Sequence, residues 1–255
     1  MAAQPLADRV GVITGASSGI GAAVALALAD AGMAVVLGAR RAQRLSELSA
    51  RIRAAGGTAT AVATDLRNEA EIDALIDTAV ERHGRLDALV NNAAIGTVRP
   101  IAEGRTDEWR AIFETNVLGT LIACRAALRH MLPSGRGDIL NVTSASAHEA
   151  WPFLSVYAAS KAAVHSLSQG LRAEVAEQGI RIMTLEIHNV GGTDFASNFD
   201  TDILPAAMQR WKELGLLNPK TPMLTASEVA RAVVFQLSQP DPTSIHHLTI
   251  RSRAN

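Results

Sequence analysis

Residues 10–21 constrain this chain more than any other stretch. A short β-branched run, Val10–Thr14, ends in Gly15-Ala16-Ser17-Ser18-Gly19-Ile20-Gly21, and an Ala/Leu-rich helical stretch follows over about 19–31. Gly15 permits a tight exit from a strand, Gly19 lets a pyrophosphate approach the backbone, and Gly21 lets the helix pack closely on a sheet. The helix start presents free N–H groups and a partial positive charge to an anion. A strand before and a helix after are the context that distinguishes such a turn from a chance glycine spacing.

The rest of the chain repeats this alternation. Strands are expected at 34–38, 58–64, 86–90, 138–143, Ile180–Ile187 and 245–250, and helices at 41–55, 68–83, 106–132, 155–178 and 227–237, with a turn at 133–137. Such βαβ units imply an α/β, doubly wound parallel sheet of seven strands with helices on both faces. The unbroken alternation argues for one domain over 1–255. Residues 190–225 have weak periodicity and are expected to form a substrate loop, because long loops in compact domains are usually functional.

Composition narrows the function classes. Apolar residues make up 48% and charged residues 19%, which excludes disorder as the main state. Lys+Arg is 24 and Asp+Glu is 25, so no basic excess exists for nucleic acid. Cys124 is the single cysteine, so neither an intrachain disulfide nor a Cys-rich metal site can form. The longest strongly apolar stretch, 19–29, falls short of the roughly 18 residues of a membrane span. The first residues lack a basic region followed by an apolar one. A globular cytoplasmic protein without membrane or metal partners is expected.

Tyr157, the only tyrosine, stands four residues before Lys161, so the two share one face of a helix. A phenol with a pKa near 10 is a poor base at neutral pH, and a nearby ammonium is expected to lower that pKa toward the working range. Ser144 follows a strand thirteen residues earlier, at the strand end where open parallel sheets bind ligands. Its hydroxyl suits a substrate oxygen and a developing alkoxide. Ser146 is the rival, with at most an accessory contact. His148, His188, His246 and His247 lack ligand-like spacing and are read as loop histidines.

Thr14-Gly15-x-x-x-Gly19-x-Gly21, Asn91-Asn92-Ala93-Ala94, Asn116, Ser144 and Tyr157-x-x-x-Lys161, in this order and spacing, resemble the short-chain dehydrogenase/reductase family over nearly the whole chain. The resemblance implies catalytic roles for Asn116, Ser144, Tyr157 and Lys161. Asn116 would bend its helix slightly, its carbonyl holding a water linked to Lys161. Gly15, Ser17, Ser18, Gly19, Ile20 and Gly21 would hold the cofactor phosphates, Asp65 and Leu66 the adenine, and Asn92 the adenosine ribose. Tyr157 and Lys161 would touch the nicotinamide ribose, and Val190 the nicotinamide. Ala94 replaces a usual glycine, and Ile187-His188 replaces a usual Pro-Gly after the sixth strand, which displaces Thr193 by one residue.

An acid about 20 residues after the glycine turn would bind the ribose 2′-OH of NAD. The family's acid falls at about Ala39, which is followed instead by Arg40-Arg41. The Arg40 guanidinium fork suits a 2′-phosphate, with Arg41 as an added contact, so NADP(H) is the expected cofactor. The implied activity is hydride transfer between NADP(H) and a ketone, aldehyde or secondary alcohol, in a homotetramer packed through 106–132 and 155–178. An epimerase or lyase on the same fold, and a non-catalytic NADP-binding regulator, are the alternatives. Trp151, Pro152, Phe153, Phe195, Phe199, Met208 and Trp211 are the expected substrate wall, suited to an apolar or mixed organic molecule.

Overall fold

Successive residues of a strand point to opposite faces, so one apolar strand can serve two helical layers. The computed structural model describes residues 4–218 and 220–253. Its seven strands are β1 (Val10–Thr14), β2 (Ala34–Ala39), β3 (Ala59–Ala63), β4 (Ala88–Asn91), β5 (Gly137–Ser144), β6 (Ile180–Ile187) and β7 (His247–Ile250). They form one all-parallel sheet in the order β3-β2-β1-β4-β5-β6-β7.

On one face Ile13, Val35, Leu37, Val90, Leu140 and Leu185 pack against α1 (Gly19–Asp30), α2 (Ala42–Ala54) and α8 (Ala226–Leu237). On the other, Val12, Val36, Leu89, Ile139 and Ile182 pack against α3 (Glu69–His83), α5 (Gly119–Ser134) and α6 (Ser155–Glu174). The sheet is therefore doubly wound, as the alternation requires. Local signals agree with the boundaries. Asn68 accepts the Ala70 N–H at the start of α3, and Gly84 ends that helix at φ 76°. Thr225 and Glu228 form a reciprocal cap on α8.

Three segments differ from the sequence expectation. The stretch expected as one helix over 106–132 is α4 (Thr106–Phe113), a π turn (Glu114–Leu118) and α5. The π turn contains Asn116, whose side chain is tied to the backbone of Ile95 and to Ser160. Pro133 lies inside the last turn of α5, and the helix ends at Gly135, φ 62°, later than the expected turn. Together these pieces make a continuous run, Thr106–Ser134, long and apolar enough by length and composition to cross a membrane. Charged residues hide that run in a linear scan, and half of its most apolar window is buried within the fold.

Residues 190–225 are also more ordered than expected. Val190 pairs with Leu224 in an isolated bridge, a 3-10 turn covers Asp194–Asn198, and α7 spans Leu204–Glu213. Only Ala207 and Trp211 of α7 are buried, too few apolar positions to register as a helical period. With Val98, Trp151, Leu154 and Tyr157 they form a separate apolar cluster beyond the strand ends.

Candidate active site

β1 lies between β2 and β4, so the crossover direction reverses there and leaves a crevice at the carboxyl ends of the strands. A cleft of about 640 Å³ occupies this place. Its lining includes Gly15, Ser17, Ser18, Gly19, Ile20, Gly21, Arg40, Arg41, Asp65, Leu66, Asn92, Ser144, Tyr157, Lys161 and Val190. Every cofactor-contact residue expected from the sequence therefore faces one space. Asn116 is the exception among the expected site residues, since it lies outside the lining.

The glycine turn has the shape of a cradle. Gly15 adopts φ 69°, and a Cβ there would meet the Ala93 Cα at 2.7 Å. A Cβ on Gly21 would come within 2.2 Å of the Gly15 carbonyl oxygen. Both positions need glycine for the turn to form beside an open helix start. Thr14 Oγ1 accepts the N–H groups of Asn92 and Ala93 at 3.1 and 3.2 Å. The Asn92 amide donates to the carbonyls of Thr14 and Gly15 at 3.1 and 3.5 Å. Asn92 thus holds the turn in place.

At the other end of the cleft, β5 delivers Ser144 and α6 delivers Tyr157 and Lys161. The Ser144 Oγ accepts the Ser146 N–H at 3.2 Å and the Ser146 hydroxyl at 3.0 Å. The Ser144 hydroxyl lies beside the Tyr157 phenol and favours its ionised form. Ser146, which also lines the cleft, therefore donates to Ser144 and orients its hydroxyl. Tyr157 is 9% exposed and Lys161 4% exposed.

The expected lowering of the Tyr157 pKa is not what these surroundings produce. Burial pushes the phenol up to about 12, and the Ser144 hydroxyl offsets this only in part. The Lys161 Nζ lies 5.9 Å from the Tyr157 ring centroid and donates to the Val142 carbonyl at 2.8 Å. Its own pKa is pushed down to about 8 by burial. The phenol is thus protonated at neutral pH.

Asn116 is 1% exposed. Its Oδ1 accepts the Ile95 N–H, and its Nδ2 donates to the Ile95 carbonyl and to Ser160 Oγ. Its own carbonyl accepts the Thr120 hydroxyl at 2.8 Å. The side chain thus anchors the loop after β4, a role that residue spacing gave no means of reading.

The end of the cleft near Asp65, Arg40 and Arg41 carries the charge. Asp65 is engaged by Arg67 through the backbone N–H and the guanidinium, which hold its carboxyl below the usual range. Arg40 is exposed at the rim. Arg41, exposed as well, reaches the glycine turn and donates to Ser17 Oγ at 3.0 Å and to Ser18 Oγ. Sequence reasoning missed Arg44 and Asp194, which meet beside Arg41 across about 150 residues of chain. It also missed the convergence of His148, His188 and His247 on the buried Glu186, at 3.2, 3.9 and 4.0 Å. His148 and His247 each stack edge-on against His165.

Of the expected substrate wall, Trp151, Phe195, Phe199, Met208 and Trp211 line the cleft. Pro152 instead accepts the Trp211 indole N–H at 2.7 Å, and Phe153 adopts φ 69° outside the lining. Phe195 stacks on Tyr157 with ring centroids 4.9 Å apart.

Comparison with known proteins agrees with this arrangement. A family profile described as "short chain dehydrogenase" matches residues 9–203. An uncharacterized oxidoreductase of Staphylococcus saprophyticus is 36% identical over 249 residues, covering 96% of this chain and 98% of that protein. A short chain dehydrogenase from Burkholderia cenocepacia, solved in complex with NADP, superposes with a TM-score of 0.83 at 31% identity, over 96% of this chain and 97% of that one. A metagenomic short-chain oxidoreductase in complex with NADP gives 0.81 at 27% identity, over 98% and 100%.

Proposed function

Since the chain belongs to the short-chain dehydrogenase family and is an oxidoreductase of that type, we propose that it transfers a hydride between NADP(H) and a ketone, aldehyde or secondary alcohol. The observation that carries this reading is one cleft with the Ser144–Tyr157–Lys161 group at one end and a glycine cradle beside Arg40 and Arg41 at the other. The residues suit the cofactor. The cradle admits no Cβ at Gly15 or Gly21, and Ser17, Ser18 and two guanidiniums supply donors for anions. When bound, the nicotinamide supplies or accepts the hydride.

The chain's own residues manage the proton. In the reducing direction the Tyr157 O–H donates to the substrate oxygen as it gains charge. The Ser144 hydroxyl holds the same oxygen, and Ser146 fixes the Ser144 orientation. Lys161, buried beside them, places a positive charge near the phenolate that forms and so favours its ionised state. Asn116 acts as a positioning residue through Ile95 and Ser160. The aromatic roof of Trp151, Phe195, Phe199 and Trp211 excludes water and selects a substrate with an apolar portion.

The reading includes self-association, to a homotetramer, through the α4–α5 rod and α6. Phe113, Leu118 and Leu121 on that rod are 42%, 50% and 43% exposed. Several large apolar side chains exposed along one helical run suit an interaction site. The activity is tested by following NADPH absorbance with a panel of carbonyl compounds and identifying the product. Cofactor binding without turnover of any carbonyl would reject the reductase reading.

A further inference from the structure

The group around Arg41 contains one acid that the proposed chemistry does not use. Asp194 Oδ2 lies 2.8 Å from Arg41 Nη1 and 2.6 Å from Arg44 Nη1. The remaining nitrogens of Arg41, Nε and Nη2, are taken by Ser17 and Ser18. Ser18, beside the Asp194 carboxylate, adds to the pull that keeps it ionised. All three guanidinium nitrogens of Arg41 are therefore engaged, and the single anion in the group is a side chain from the loop after β6. We propose that Asp194 is a cofactor-discriminating residue: its carboxylate stands in for the 2′-phosphate, so that NADP(H) must displace it from Arg41 and Arg44 whereas NAD(H) need not.

The inference rests on the cofactor reading above and sharpens it. A carboxylate and a phosphate are competing ligands for the same guanidinium forks. Two anions held together in a cradle of two cations repel each other, so the acid opposes the phosphate and spares the unphosphorylated ribose. The two arginines hold the Asp194 carboxyl far down, at about 2, so it remains an anion at every working pH. Asp194 also begins the 3-10 turn whose next residue, Phe195, covers Tyr157. The acid at the charged end is thus joined directly to the residue that roofs the reacting end.

The test uses the whole protein and cofactor fragments that lack the nicotinamide. Wild type and Asp194→Asn are titrated with 2′,5′-ADP, 5′-AMP, NADPH and NADH at one fixed salt concentration. Asp194→Asn is expected to tighten 2′,5′-ADP and NADPH by about twofold to fivefold, within the range for exposed ion pairs, and to leave 5′-AMP and NADH unchanged. An equal change for phosphorylated and unphosphorylated ligands, no change, or weaker NADPH binding would overturn the proposal. Weaker binding would make Asp194 a clamp over the cofactor. If both proteins bind 5′-AMP more tightly than 2′,5′-ADP, the cofactor reading falls and the inference falls with it.

Discussion

The side chain of Asn116 grips the backbone of Ile95 from both sides, accepting its N–H at 2.9 Å and donating to its carbonyl at 2.8 Å. The same amide reaches Ser160 Oγ at 3.0 Å, and the Ser160 hydroxyl donates to the Tyr157 carbonyl at 2.7 Å. One buried side chain therefore fixes the loop after β4 against the helix that carries Tyr157. Asn116→Ala leaves two backbone groups without partners and should destabilise the fold by about 2–4 kcal/mol, read by urea unfolding. A loss below about 0.5 kcal/mol would mean that the grip contributes nothing beyond solvent hydrogen bonds.

Tyr157→Phe removes the phenol oxygen and little else. Turnover of a verified carbonyl substrate should fall by about 10²–10⁴-fold, while the NADPH dissociation constant stays within about threefold of wild type. Retention of half the wild-type rate would assign the proton to another group.

Lys161 connects stability to function through pH. Below about pH 8 the folded chain carries a buried ammonium that the unfolded chain would leave in water. Between about 8 and the ordinary 10.5 the unfolded state binds more protons than the folded one, so this group makes stability rise with pH across that window. Lys161→Met should raise the unfolding free energy at pH 7 by about 1–3 kcal/mol, with a smaller gain at pH 9.5, and should remove most turnover. Urea unfolding at both pH values reads the difference. A variant less stable at pH 7 than wild type would show that the bond to the Val142 carbonyl outweighs burial of the charge.

The central strands were legible because they are buried on both faces. Val35-Val36-Leu37 supplies both helical layers at once, and such runs stand out without alternation. The residues brought to the cleft were legible because each lies at a strand end or on one helix face. What escaped was long-range or local in a way that spacing does not encode. Asp194 meets Arg44 across 150 positions, and nothing near either residue marks the other. The π turn depends on where the Asn116 amide finds its partners, and these are backbone groups 21 residues away. The Tyr157 pKa reflects burial, which residue spacing cannot weigh against a neighbouring charge.

The exposed stripe on the α4–α5 rod sets the expectation for assembly. Leu118 and Leu121 are three positions apart, so they share a helix face. Light scattering of wild type at micromolar concentration should give the mass of four chains, and Leu118→Glu with Leu121→Glu should reduce it, because a charge buried at an interface lacks a partner. A wild-type monomer would reject self-association.

Cofactor preference follows from which arginine reaches the turn. Arg41 touches Ser17 and Ser18, whereas Arg40 stays at the rim. A 2′-phosphate near the turn serines would draw most of its binding from Arg41, with Arg40 adding a longer-range attraction. Charge-assisted hydrogen bonds contribute about 1.5–3 kcal/mol, and about 1.4 kcal/mol is tenfold in affinity. Arg41→Ala should therefore weaken NADPH by about tenfold to a hundredfold, its exposure favouring the lower figure, and Arg40→Ala by less. Neither should move NADH appreciably. Ala39→Asp places an acid at the end of β2, where it accepts from a free 2′-OH and repels a 2′-phosphate, so it should turn the preference toward NADH. Titration of both cofactors against wild type and the three variants, at one salt concentration, reads each effect. Equal loss of both cofactors in Arg41→Ala, or a wild type that prefers NADH, would show that the arginines brace the turn and leave the phosphate unread.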